Sequence, residues 1–188
     1  MSSARRRSRE DWIDAAFIHG ADVGFDRIAV EPLAARIGAT KGSFYWHFAD
    51  RSALLDAVLE RWESVATQAV IASVRAEDED PEARLMDAIF GDRELDRQEW
   101  RIFAAADDPR VGAVVARVHS ARIDFLADLL RQRGMSTKAA AARAHVAYAA
   151  YLGNLMLRHG AAPTQPVHGL RDELRRLLSP GEGATDGS

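Results

Sequence analysis

The sequence predicts an all-α protein with an N-terminal three-helix domain and a larger C-terminal helical domain. Helix start and stop signals recur along the chain, strand-like alternation is scarce, and two very short helical segments lie near the N-terminus. The 188 residues are 47% hydrophobic and 28% charged, an ordinary globular composition. There is no apolar run long enough to cross a bilayer, no secretory signal pattern and no cysteine, so we expect a cytoplasmic protein without disulfides.

Charge is distributed unevenly along the chain. The net charge is -3, yet Arg5, Arg6, Arg7 and Arg9 lie within five residues, and acidic residues cluster at positions 77 to 80. An acidic protein with a basic N-terminal arm is compatible with nucleic-acid binding, because affinity depends on the few cations that reach phosphates. A short arginine run is also typical of a solvated tail.

Capping residues and glycines delimit four helices in the first part of the chain. Ser8 to Asp11 has the form of a capping box, and Gly24 and Gly38 each stand where a helix should end. Thr40 and Asp50 are the N-caps of the next two helices. The predicted helices cover residues 9 to 23, 30 to 37, 40 to 48 and 51 to about 75.

The second part of the chain repeats an Asp-Pro start signal, at Asp80-Pro81 and Asp108-Pro109. We expect helices at about 81 to 90, 95 to 103, 109 to 133, 136 to 159 and 170 to 178, followed by a disordered tail at 181 to 188. The predicted domains are residues 1–50 (with the start of the fourth helix, to about 68), then 51–180, then the tail 181–188.

The two short helices joined at Gly38 have the form of a helix-turn-helix. At 100° per residue, Phe44 and Phe48 lie on one face of the second helix and are assigned to the core. The opposite face and its flanks carry Gly42, Ser43, Tyr45, Trp46 and His47. An eight-residue helix cannot bury every face, so we predict that Trp46 is exposed, although four aromatics could also form an ordinary core cluster.

This exposed face has the chemistry that a major groove requires. Gly42 and Ser43 give clearance for the helix backbone, Trp46 can contact thymine methyl groups, and Ser43 can bond to a base edge or a phosphate. Phosphate oxygens would run along the flanks, where we place Thr40, Lys41, Tyr45 and His47. The arm residues Arg5, Arg6 and Arg7 are further candidates, either along phosphates or in a minor groove.

The segment from Thr40 to Phe48, followed by Asp50-Arg51 and Leu54-Leu55, closely resembles the signature of TetR-family regulators. The resemblance covers about the first sixty residues. It implies about nine helices, a homodimer, a palindromic operator in double-stranded DNA, and a small-molecule effector that releases the DNA. Thr40, Lys41, Tyr45 and His47 would touch phosphates, while Ser43 and Trp46 would face bases.

Two residues depart from the family's pattern. Ala29 stands where the family often has Ser or Thr, and a helix cap of Ala is poorer by about 1 kcal/mol. Glu31 stands where many members carry a basic or neutral residue; it suits the helix dipole but would repel a phosphate. These departures put the contacts of the first short helix in doubt.

The C-terminal helices supply candidates for a dimer interface and an effector site. Small residues along 139 to 153 and leucines along 170 to 178 favour a homodimer through about 136–178, or close packing within one chain. The residues that could line an effector pocket are Trp62, Phe90, Trp100, Phe103, Arg122 and Tyr148. Each is individually also explained as core, and an inward Arg122 could bind an acidic ligand or an internal carboxylate.

No catalytic or cofactor motif is present: there is no P-loop, dinucleotide-binding glycine motif, nucleophile elbow or His-Glu-x-x-His sequence. His119 and His145 lack metal-ligand spacing, so we predict neither enzyme activity, nor a cofactor, nor a metal. The predicted function is a ligand-responsive repressor. The alternatives are a helical enzyme, a dimeric ligand-binding protein whose helix-turn-helix no longer binds DNA, and an activator.

Overall fold

The computed structural model describes residues 7–76, 80–90, 93–160 and 169–179 of the chain. Within those ranges the secondary structure is helical, without strands. Arg5, Arg6 and the predicted tail at 181–188 lie outside the described residues. The helices are α1 (Arg9–Val23), α2 (Val30–Ile37), α3 (Lys41–Phe44), α4 (Arg51–Glu63), α5 (Ala69–Arg75), α6 (Pro81–Phe90), α7 (Arg93–Ala104), α8 (Pro109–Gln132), α9 (Thr137–His159) and α10 (Leu170–Leu178). A 3-10 turn (Phe25–Arg27) follows α1, and a π-helical turn (Ser64–Gln68) joins α4 to α5.

The predicted capping signals are confirmed. Ser8 and Asp11 form a reciprocal capping box, and the side chains of Thr40, Asp50 and Ser136 each accept a backbone N–H in the first turn of the helix that follows. Each bond satisfies an amide that would otherwise lack a partner at a helix start. The helix starts read from the sequence are therefore correct at these positions.

Two helices differ from the prediction. The second short helix ends at Phe44 and continues as a turn, in which the Phe44 carbonyl accepts the N–H groups of both His47 (2.9 Å) and Phe48 (3.0 Å). The helix expected at 51 to 75 is interrupted by the π turn, in which Thr67 is only 2% exposed. Its hydroxyl accepts a bond from Arg122 Nε at 3.0 Å.

The described residues fall into two compact units, the first within Met1–Ala66 and Glu94–Ala116 and the second within Thr67–Arg93 and Arg117–Ser188. The first unit has an aromatic and aliphatic core whose largest fully buried side chains are Trp12, Phe25, Leu33, Phe44, Leu54, Leu59, Trp62 and Ile102. Ion pairs tie α7 and α8 to the N-terminal helices of this unit. Asp22 pairs with Arg97 at 3.3 Å, and Asp56 with Arg110 at 2.8 Å. The predicted functional boundary after Asp50 stays a prediction.

The second unit is built on apolar side chains from α5, α6, α8, α9 and α10. Met86, Leu130, Ala140 and Ala144 are completely buried there, and Leu174 and Leu178 bring α10 onto the same core. A largely buried ion pair lies at one side of this core, where Glu82 of α6 pairs with Arg133, the residue that follows α8, at 3.1 Å. None of the helices in the described ranges is long and apolar enough to cross a membrane.

Candidate nucleic-acid interface

The orientation of α3 is set by the aromatic core of the first unit. Phe44 is completely buried and meets Trp12 of α1 edge to face, with ring centroids 5.3 Å apart. Phe48, 4% exposed, stacks on Phe44 at 5.4 Å. Burying two phenylalanines four residues apart leaves the opposite side of this short segment turned to solvent.

The turn between α2 and α3 depends on one glycine. Gly38 has φ 64° and ψ 40°, a left-handed conformation that costs a residue with a Cβ about 1–2 kcal/mol. Its N–H donates to the Ala35 carbonyl (3.3 Å), and the N–H of Ala39 donates to the Ala34 carbonyl (2.8 Å), as in a Schellman ending. Arg7 Nε donates to the Ile37 carbonyl at 2.5 Å, so this arm residue provides a hydrogen-bond partner for a carbonyl at the end of α2.

The outer face of α3 and the following turn exposes two aromatic side chains. Trp46 is 76% exposed and Tyr45 is 54% exposed, which confirms the predicted exposure of Trp46. Gly42 is also exposed and Ser43 is half-buried. A large indole left in water beside a packed aromatic core is typical of a binding surface.

The two hydroxyls at the start of α3 are bonded to the backbone of the same turn. Thr40 Oγ1 accepts the N–H of Ser43 at 3.1 Å, and the Ser43 hydroxyl donates to the Thr40 carbonyl at 2.9 Å. The Thr40 hydroxyl thus keeps its proton to donate outward. The Ser43 oxygen keeps lone pairs that can accept from a base amino group.

Lys41 forms an ion pair with Glu31 of α2. Lys41 Nζ lies 2.5 Å from Glu31 Oε1, and the two side chains are 57% and 63% exposed. The hydrogen bond from Lys41 lowers the pKa of Glu31, and the same bond raises the pKa of Lys41. Both groups are therefore held in their charged forms, and the expected phosphate contact carries its own carboxylate partner.

Arg7, which precedes α1, and Arg9, the first residue of α1, contact the turn that follows α3. The Nε2–H of His47 donates to the Arg7 carbonyl at 2.9 Å, and the guanidinium of Arg9 lies 5.2 Å from the centre of the Phe48 ring. His47 is half-buried by this contact. The bond leaves Nδ1 as the ring nitrogen of His47 available to a further partner.

Arg51, a residue with no role predicted from the sequence, positions the segment before α2. Its guanidinium donates to the carbonyls of Ile28 (2.5 Å), Phe25 (3.0 Å) and Asp26 (2.7 Å). Ala29 is the N-cap of α2 and makes no side-chain capping bond, because its methyl group cannot accept a hydrogen bond. Arg51 thus fixes the entry to α2 from 23 or more residues along the chain, a distance that no local sequence signal spans.

The predicted effector residues divide between the two units. In the first unit, Trp62 is 1% exposed and meets Phe103 edge to face at 5.7 Å, and Trp100 is half-buried. In the second unit, Phe90 is half-buried and packs against the core, and Arg122 is half-buried and bonded to Thr67. Tyr148 is 5% exposed.

The Tyr148 hydroxyl forms a 2.7 Å hydrogen bond with Nδ1 of His119, a histidine for which the sequence predicted no metal-binding role. The ring of Tyr151 stacks on Tyr148 at 6.0 Å. The polar groups of Arg122, His119 and Tyr148 thus each have a protein partner. No group of three or more potential metal ligands occurs within the described residues.

Comparisons with known proteins agree with this geometry. A family model described as "Bacterial regulatory proteins, tetR family" matches residues 13–58, which contain α2, α3 and most of α1 and α4. A search of curated proteins finds no match.

Solved structures share the fold over nearly the whole chain. A transcriptional regulator from Rhodococcus sp. Rha1 has a TM-score of 0.74 at 19% identity, covering 92% of this chain and 94% of that one. A TetR transcriptional regulator from Legionella pneumophila gives a TM-score of 0.73 at 14% identity, with 94% and 97% covered. A candidate transcriptional regulator from Saccharomonospora viridis, crystallised with choline, gives a TM-score of 0.74 at 16% identity, with 90% and 94% covered. Residues 13–58 thus resemble the N-terminal domain of the tetR family of bacterial regulatory proteins, and the solved structures share the fold of the whole chain.

Proposed function

We propose that this protein is a ligand-responsive transcriptional repressor that binds a palindromic operator as a homodimer. The observation that carries the proposal is the 76% exposure of Trp46 on a segment whose Phe44 and Phe48 are buried. That arrangement turns one compact face of the helix-turn-helix outward. A recognition helix needs such a face to enter the major groove.

Base readout is assigned to Ser43 and Trp46. The bonds within the turn support an acceptor role for the Ser43 hydroxyl, because its proton is donated to the Thr40 carbonyl. Trp46 supplies apolar contact to thymine methyl groups. Both contacts are uncharged, so they confer sequence preference without adding to the salt dependence of binding.

Phosphate contacts are assigned to groups on either side of the recognition face. Thr40 and Tyr45 offer hydroxyl protons, and Lys41 offers an ammonium that is paired with Glu31. The Nε2–H of His47 is taken by the Arg7 carbonyl, so His47 can donate to a phosphate only from Nδ1 of its imidazolium form. Arg5, Arg6 and Arg7 add the basic arm. Arg7 is joined to the recognition segment by its bonds with Ile37 and His47, which supports an arm that begins beside the DNA-binding face.

Gly42 supports the same orientation. A Cβ built there would meet only Thr40 Oγ1, at 3.8 Å, and its backbone angle is not in the positive-φ region. The protein's own packing thus gives no reason for glycine, which weakens a helix by about 1 kcal/mol relative to alanine. We assign the missing side chain to clearance for the DNA.

The homodimer proposal rests on α9, which has apolar residues on two sides. One side is buried in the second unit, whereas Val146, Met156 and Leu157 on the other are 55%, 62% and 51% exposed. At helical spacing, this second side forms a stripe of small and apolar residues: Ala139, Ala142, Val146, Ala149, Gly153 and Leu157. A surface helix of a monomer usually has polar residues there, so we assign the stripe to the equivalent helix of a second copy.

The effector is proposed to be a small molecule that acts on the residues assigned from the sequence. In the second unit it would compete with two hydrogen bonds, Arg122 to Thr67 and His119 to Tyr148. The structural neighbour crystallised with choline shows that a protein of this fold holds a small organic molecule. By linkage, the effector should weaken operator affinity by the same factor by which the operator weakens effector affinity.

Selection of bound fragments from genomic DNA with the purified protein tests the proposal. We expect a palindromic motif, and neighbouring genes would indicate the regulated process. Trp46→Ala should then lose preference for the selected motif over random duplex by about 5- to 100-fold, the discrimination of one good base contact. If the protein enriches no sequence and binds no duplex at low ionic strength, the proposed function is wrong.

A further inference from the structure

We propose that Glu31 competes with DNA phosphates for the ammonium group of Lys41, so that the ion pair reduces the contribution of Lys41 to DNA binding in the wild-type protein. The inference rests on the proposed DNA-binding function and concerns the affinity of that same surface. It assigns to Glu31 a role as an affinity-limiting residue of the interface.

The geometry that carries the inference is the 2.5 Å contact between Lys41 Nζ and Glu31 Oε1. Glu31 lies in the first turn of α2, and Lys41 is the first residue of α3, so the contact joins the two helices of the helix-turn-helix. The carboxylate therefore sits beside the same end of α3 that would face a phosphate strand. Both side chains are more than half exposed, so a phosphate can reach either of them.

The second permanent cation of this segment is also paired. Between residues 30 and 48 the fixed positive charges are Arg36 and Lys41, and all of these residues are described. Arg36 NH1 lies 3.5 Å from Asp22 Oδ2. Both cations of the helix-turn-helix are thus paired with carboxylates of the same unit, Lys41 with Glu31 and Arg36 with Asp22, which Arg36 shares with Arg97.

Electrostatics makes this pairing a competition and not a fixed structural bond. The hydrogen bond between the two groups lowers the pKa of Glu31 and raises that of Lys41, so both stay charged at neutral pH. Exposed ion pairs are weak and are screened by salt. A phosphate that takes Lys41 must therefore displace Glu31 or share the ammonium with it, and it also meets the negative charge of the carboxylate.

The two effects of Glu31 can be separated by a double-mutant cycle. The variants are Glu31→Gln, Lys41→Gln and the double variant, each compared with wild type on two fluorescent duplexes, one with the selected motif and one of random sequence. Binding is measured over a series of salt concentrations. Asp128→Asn in the second unit is the matched control, because it removes one negative charge from another exposed ion pair.

We expect Glu31→Gln to raise affinity about two- to fivefold on both duplexes, since a phosphate contact carries no sequence information. The slope of log affinity against log salt should steepen by about 0.9, the value for one added phosphate contact. In the Glu31→Gln background, Lys41→Gln should abolish both effects. In the wild-type background, Lys41→Gln should change the slope by much less than about 0.9, and Asp128→Asn should leave affinity and slope unchanged.

Two results would overturn the inference while leaving DNA binding intact. One is an equal increase in affinity from Glu31→Gln with and without Lys41, which would make Glu31 a simple repulsive charge. The other is a full reduction of the slope by Lys41→Gln in wild type, which would make Lys41 an ordinary phosphate contact. If no variant and no wild-type protein binds either duplex, the proposed function itself fails, and this inference fails with it.

Discussion

Replacing Gly42 with alanine should stabilise the protein and weaken its binding to DNA. The new Cβ would have only Thr40 Oγ1 near it, at the ordinary contact distance of 3.8 Å. The gain in stability should be about 0.4–1 kcal/mol, because alanine reduces the entropy of the unfolded chain. For a chain of this length, that gain raises the melting temperature by roughly 1–4 °C.

The unfavourable effect of Gly42→Ala should be a loss of DNA affinity, with no loss of stability in the free protein. If Gly42 provides clearance in the groove, an added methyl group pushes the helix backbone away from the bases and weakens every contact that depends on close approach. We expect a reduction of at least about tenfold in affinity for the selected duplex, an amount that corresponds to one disturbed base contact. Thermal unfolding and fluorescence anisotropy measure the two effects on the same preparation.

Gly38→Ala is the informative comparison, because the two exposed glycines lie four residues apart. Gly38 has a φ of 64°, so alanine there should destabilise the fold by about 1–2 kcal/mol. The two substitutions should therefore change stability in opposite directions. Unchanged DNA affinity of Gly42→Ala would refute the clearance argument, and a lower melting temperature would refute the expectation that the packing tolerates a Cβ there.

Three further predictions concern the arm, the second unit and the dimer. Deletion of residues 2–6 should weaken binding to all sequences and lower the salt slope by about 0.9 for each phosphate that the arm neutralises, whereas an unchanged slope would make the arm a solvated tail. Glu82→Ala removes the carboxylate paired with Arg133, whose side chain is 21% exposed, and should destabilise the protein by about 2 kcal/mol in denaturant unfolding. Glu173→Ala removes the carboxylate of an exposed ion pair with Arg176 and should change the free energy of unfolding by no more than about 0.5 kcal/mol. Val146→Arg should give a folded monomer in sedimentation analysis with weakened operator binding, and a dimer of undiminished stability would exclude this face of α9 as the interface.

The local signals in the sequence were sufficient to predict most of the helices. Ser8 with Asp11, Thr40 and Asp50 predicted helix starts because each side chain can accept a nearby backbone N–H, and each one does so. The alternation of buried phenylalanines with an exposed tryptophan followed from helical geometry alone. These features depend on interactions within a few residues, which a single sequence records directly.

Features that depend on competition between hydrogen-bond patterns were not predicted. No sequence signal indicates that α3 stops at Phe44, because the tightened turn to His47 keeps the same side chains on nearly the same faces. The π turn at Ser64–Gln68 was likewise not predicted, since helix continues on both sides of it and no glycine or proline marks the interruption.

Long-range polar contacts also could not be predicted from the sequence. Arg51 with Ile28, Arg7 with Ile37 and His119 with Tyr148 join residues 23 to 30 positions apart. Arginine and histidine at such positions could equally point to solvent, so only the packed helices decide their partners. This is why the recognition face was placed from sequence, whereas the residues that hold it in position were found only in the structure.

The charge arrangement bears on how such a regulator could discriminate between DNA sequences. The chain carries a net charge of -3, and both permanent cations between residues 30 and 48 are paired with carboxylates. Non-specific affinity grows with the number of phosphates neutralised, so few available cations keep that background weak. Uncharged contacts such as those proposed for Ser43 and Trp46 then provide most of the difference between operator and random DNA. With a modest total affinity, an effector coupling of about 1–3 kcal/mol is enough to shift the operator from mostly occupied to mostly free.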